Sequence, residues 1–156
     1  MGCKLLVLQL QSKHLPLSHI TFREHNYNNS RIRARRQYYS ANNIGWCARP
    51  AHNKDSFVRK GKFKKASNMN YCLDFSIRVE DELIRLLNER IESTGCSEED
   101  ITYEIESELY QVALDTVLAA DGGKTLASGN VRIGEIILIV DCDTRVVNYI
   151  FFFSFA

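Results

Sequence analysis

One glycine between two runs of helical periodicity constrains this chain more than any other feature. Ahead of Gly95, the apolar residues Leu83, Leu86, Leu87 and Ile91 recur at spacings that line a single helix face. The acids Glu80, Asp81 and Glu82 stand before them, where the helix dipole favours negative charge. The pattern predicts a helix over residues 80–93, and Gly95 suits the left-handed residue that ends one. Ser97 then reads as an N-cap, with Asp100 three residues on as a short version of the capping box. A second helix is expected over residues 98–119, burying Ile101, Ile105, Leu109, Val112 and Val117, with Gly122 and Gly123 beyond its end.

The flanks read as strands. Leu73, Phe75, Ile77 and Val79 alternate with Asp74, Ser76 and Arg78, which is the period of a strand. After a turn at "ASGN", the run "RIGEIILIVDCDTRVVNYIFFF" reads as a hairpin with strands over residues 135–140 and 145–152. The expected fold class is α+β. A small β-α-α-β-β domain over residues 69–156 would hold a three-stranded, mostly antiparallel sheet and two helices. Residues 1–68 lack sustained periodicity and read as a largely irregular, basic N-terminal arm. Met69 stands directly before the ordered half, which makes it a candidate start.

Charge divides the chain in the same place. Residues 1–65 carry fourteen Lys and Arg against two acids, a net of +12. Residues 66–156 carry six against seventeen, a net of −11. A split of this kind points to an anionic partner for the arm, or to an arm that folds back on the acidic half. Fold-back needs close contact, because salt screens charges beyond about 8 Å. The five cysteines are scattered and odd in number, with no C-x-x-C pair, so a reducing, cytoplasmic compartment is expected. The apolar run Leu5 to Leu8 is too short for a signal sequence or a membrane span, and no membrane association is expected. "MGCKLL" has Leu6 where a myristoylation signal wants Ser or Thr.

Strand, helix, a turn with "GCS" and a second helix, together with "SIRV" on the strand, resemble the ribbon-helix-helix repressors over about residues 72–117. In that family two chains pair their strands into a ribbon that enters the major groove. The resemblance implies a homodimer whose outward ribbon side chains read bases. Here these would be Asp74, Ser76 and Arg78, and the Arg78 fork would suit guanine. The same three residues also suit the solvent face of an ordinary strand. The family grips a phosphate at the start of its second helix, where this chain has Glu98, Glu99 and Asp100.

The arm supplies the other nucleic-acid candidates. "RIRARR" (Arg31, Arg33, Arg35, Arg36) is followed by Tyr38 and Tyr39, and "RKGKFKK" contains Lys62, Lys64 and Lys65. Cations neutralise phosphates, and aromatics stack on unpaired bases. Catalytic and metal patterns are thin. His14, His19 and His25 have the spacing of half a zinc site but lack paired cysteines, and Cys47 with His52 has nothing to position it. "GGKT" lacks the first glycine of a P-loop. No catalytic residues, cofactor or metal are expected. Two functions remain: a small nucleic-acid-binding regulator, or an acidic interaction module of antitoxin, immunity or adaptor type that binds a basic protein.

Overall fold

The computed structural model describes residues 5–10, 18–24, 30–59, 64–134 and 136–141, and within them the side chains of 32–59 and 66–134. The architecture is α+β. Strands β1 (Leu5–Leu10) and β2 (Ser18–Glu24) are followed by helix α1 (Ser30–Ala41) and strand β3 (Trp46–Arg49). Helices α2 (Lys64–Thr94) and α3 (Tyr103–Ala120) come next, then strands β4 (Leu126–Ser128) and β5 (Ile136–Asp141). The described strands form one mixed sheet in the order β4-β3-β2-β1-β5. β1 runs antiparallel to both β2 and β5, β3 runs parallel to β2, and β4 runs antiparallel to β3. A parallel pair needs a crossover, and α1 supplies it between β2 and β3.

The strand expected over residues 73–79 is helical. It lies in the middle of α2, a helix of 31 residues. The physical reason is visible in the buried set. Cys72, Phe75, Ser76, Val79 and Leu83 are buried and recur at helical intervals, while Ile77, which a strand would place beside Phe75, is 56% exposed. Two members of the apparent alternation, Phe75 and Val79, also belong to the helical stripe. No Gly or Pro interrupts residues 62–94, so the helix extends backward from the 80–93 segment without a break.

The core lies where α2 and α3 meet β3 and the segment after β4. Cys47, Cys72, Phe75, Val79, Leu83, Ala113, Leu114, Val117 and Val131 are buried there, and Met69, Leu86, Leu87, Leu109 and Leu118 pack against them. Each fully buried large apolar side chain contributes roughly 1.5–3 kcal/mol. β3 is therefore a core element, which corrects the expectation of an irregular arm through residue 68. Within the described part of that segment the chain forms β1, β2, α1 and β3. Met69 itself lies inside α2, five residues after the helix begins. The thiols of Cys47, Cys72 and Cys96 are free. Burial, with Cys47 beside it, pushes the Cys72 thiol well up.

The turn between the helices forms largely as expected. Gly95 takes φ +67° and its N–H donates to the Ile91 carbonyl at 2.8 Å. The Asp100 carboxylate accepts from the Ser97 backbone N–H and hydroxyl at 2.8 and 2.9 Å. This box closes a 3₁₀ turn over Glu98–Asp100, not the long helix. α3 begins later, with Thr102 as its N-cap. The first expected strand of the C-terminal hairpin appears as β5, whereas the second, over residues 145–152, and most of the connecting turn lie outside the described residues.

Candidate docking surface of the helical hairpin

Three sets of polar contacts lock α2 against α3 and the segment that follows, and they fix what the hairpin presents to solvent. At the base, Arg78 grips Asp121 with two nitrogens at 2.7 and 3.2 Å, and Asp74 lies 3.3 Å from its Nε. Thr125 donates its hydroxyl to Asp121 and Tyr71 completes the chain through Thr125. Burial raises the Asp121 pKa, but hydrogen bonds from Arg78 and Thr125 more than offset this and hold it below the usual carboxylate value. Half-way up, Arg132 forks onto Glu80 at 2.9 and 2.8 Å and reaches Glu106 at 2.6 Å, so one guanidinium joins both helices. Beside it, Tyr110 donates to the Gly129 carbonyl at 3.0 Å and accepts from the Val131 N–H at 2.8 Å. Burial pushes the Tyr110 hydroxyl up to about 12.

These contacts account for the side chains expected to read DNA. Ser76 is 3% exposed and donates to the Val131 carbonyl at 2.6 Å, so it does not face outward. Arg78 is committed to Asp121 and Asp74, with its guanidinium 5.5 Å from the Phe75 ring centre. Asp74 is exposed on α2. The three residues do not line a ribbon, because the segment that carries them is helical and its polar members point in different directions.

The basic candidates fall elsewhere. Arg31, Arg33, Arg35 and Arg36 are on α1. Arg33 is exposed, Arg35 is half-buried, and Arg36 sits 4.7 Å above the Trp46 ring. Lys64 and Lys65 open α2, and Lys62 lies outside the described residues. Arg49, one of the cations that made the first half look like a solvated arm, is 1% exposed. Its guanidinium donates to Asn68 Oδ1 at 2.5 Å and the Pro50 carbonyl at 2.7 Å, and stacks on Phe57. His52 is exposed and its Nδ1 accepts the Arg59 N–H at 3.1 Å, while Cys47 is buried in β3, so the two form no nucleophile–base pair. Among the described residues no cluster of three or more metal-ligating side chains occurs, and no helix is long and apolar enough to cross a membrane.

What the hairpin leaves outside is acidic. Residues 80–108 carry eleven acids against two cations, Arg85 and Arg90. Arg85 is already shared between Glu82 and Glu89. Asp81, Glu89, Glu92, Glu98, Glu99, Asp100, Glu104 and Glu108 are exposed. The 3₁₀ turn holds three of them at the tip. Ser97 hydrogen bonds keep the Asp100 carboxyl below its ordinary pKa, and Arg85 does the same for Glu82. A surface of this kind repels phosphate and attracts cations. Comparison with protein-family models, curated proteins and solved structures finds no match for the chain.

Proposed function

We propose that this chain is a non-enzymatic binding module whose acidic helical hairpin docks a basic protein partner. The observation that carries the proposal is the set of eight exposed carboxylates on residues 80–108, with the exposed Arg85 of the same hairpin taken up by its own neighbours. Clustered like charges oppose the compact state, and an oppositely charged partner relieves that repulsion while steering association. The hairpin is a suitable platform because Arg78–Asp121 and Arg132–Glu80–Glu106 fix α2 against α3 before any partner arrives. Little ordering entropy would then be lost on docking.

The test uses the full chain, with labelled oligolysine and duplex DNA as probes. Oligolysine is expected to bind at low ionic strength, to weaken as salt rises, and to weaken with the triple variant Glu98→Lys, Glu99→Lys, Asp100→Lys. Absence of oligolysine binding at low salt would remove this reading.

A second reading rests on α1. Its exposed Arg33 and its Tyr38, 60% exposed, place a cation and an aromatic on one polar helix, a combination that suits single-stranded nucleic acid. It requires salt-dependent binding of an oligonucleotide that weakens with Arg33→Ala and Tyr38→Ala.

A further inference from the structure

The outer face of α2 is not uniformly polar. Ile77 and Ile84 are 56% and 49% exposed, and Leu73 and Ile91 are half-buried. Spacings of four, seven and seven put the four side chains in one row along the helix, roughly 130° round from the buried stripe of Cys72, Phe75, Val79 and Leu83. Ile77, Ile84 and Ile91 recur at the interval by which one helix meets another over several turns. Scattered exposed apolar residues need no explanation, whereas a row at heptad spacing does.

The row has an acidic border. Asp74 and Asp81 stand three residues before Ile77 and Ile84, one turn away on the same side, and both are exposed. Of the cations on α2, Arg78 is shared between Asp121 and Asp74 and Arg85 between Glu82 and Glu89, while Arg90, beside Ile91, is exposed. An approaching helix therefore meets isoleucines flanked by carboxylates. A second copy of this chain would bring like to like, setting the Asp81 and Glu92 side of the row on one molecule against the same acidic side of the other.

We infer that the outer face of α2 is the contact surface for an amphipathic helix of a partner protein, apolar on one face and lined with Lys or Arg beside it. This rests on the acidic-module reading and narrows it. The partner is helical, and it binds along the shaft of α2, with the isoleucine row supplying the apolar contact and the exposed Asp81 setting register. Helix-in-groove recognition of this kind is anchored by a few apolar side chains at helical spacing.

The test compares two labelled peptides with the full-length protein. One is a Leu/Lys peptide of about five helical turns, with its leucines on one face. The other has the same composition with the faces scrambled. The amphipathic peptide is expected to bind at least about tenfold more tightly than the scrambled one. The double variant Ile77→Glu, Ile84→Glu is expected to abolish that preference while leaving the helical circular dichroism unchanged. The added carboxylates would, by charge alone, strengthen binding of a cationic peptide, so weakening identifies the apolar row. If both peptides bind equally, ignore the isoleucine variant and respond only to Glu98→Lys, Glu99→Lys, Asp100→Lys, the acidic module stands and this surface is overturned. If neither peptide binds, the basic-partner reading falls together with it. If sedimentation velocity shows a dimer that the isoleucine variant dissociates, a second copy covers the row and the inference is overturned.

Discussion

Tyr110 shows how much one hydroxyl can hold. It satisfies the Val131 N–H and the Gly129 carbonyl, and so ties α3 to the segment that follows β4. Tyr110→Phe leaves the N–H of the buried Val131 without its partner, whereas water can replace the exposed contact at Gly129, and should cost about 1–3 kcal/mol, read from denaturant unfolding. Its titration gives a second readout. The folded pKa, about 12, lies above the ordinary phenol value near 10. The folded protein thus binds this proton more tightly than the unfolded chain does. The corresponding stability is complete below pH ~10 and is lost as pH rises through about 12, and the alkaline loss should be smaller in Tyr110→Phe. Gly45 makes a different demand. A β-carbon there would lie 1.8 Å from the Asn130 carbonyl oxygen. Gly45→Ala must push β3 away from the segment after β4 and should lower stability by roughly 1–3 kcal/mol, measured as a fall in Tm. Neither site is marked by any sequence pattern, because both depend on contacts between distant segments. Arg49 hides for a related reason. A lone arginine reads as solvated unless Asn68, the Pro50 carbonyl and Phe57 are known to surround it.

At the scale of elements, the α2–α3 hairpin was legible because its signals are local. Gly95, the Ser97–Asp100 box and the Leu83–Leu86–Leu87 face each act within a few residues. The front half of α2 was misread because residues 73–79 fit two periods at once. In the structure the buried Ser76 and exposed Ile77 within the window, with the buried Cys72 and Leu83 beyond it, show that the helical spacing wins. The two periods make opposite predictions for neighbouring substitutions. In a strand, Phe75 and Ile77 would share a buried face. In α2, Phe75→Ala should cost about 3–5 kcal/mol, whereas Ile77→Ala should stay within about 0.5 kcal/mol. Chemical denaturation of the two variants checks this directly. β3 was missed because four residues, "WCAR", carry too little periodicity to register, and their burial depends on helices formed by later parts of the chain.

For the whole molecule, the charge split proves to be a poor guide to where folded structure begins. The basic half contributes α1 and β3, and β3 places Cys47, Ala48 and Arg49 among the buried residues. A fragment spanning residues 69–156 would lack those side chains and the first turn of α2. It should fail to unfold cooperatively in urea, while the full chain shows a sigmoidal transition. The change of charge sign therefore does not coincide with the edge of the folded elements, because β3 from the basic half packs with the helices of the acidic half. The pairing of β1 with β5, which sets Leu5 opposite Asp141, carries a kinetic consequence. During synthesis at about 5–20 residues per second, β1 emerges roughly 6–26 s before β5. The helical hairpin closes through near neighbours and can form in that interval, but one edge of β1 waits unpaired. Nascent chains are therefore most exposed to mispairing through β1, and a chaperone that shields an extended apolar segment would act there first.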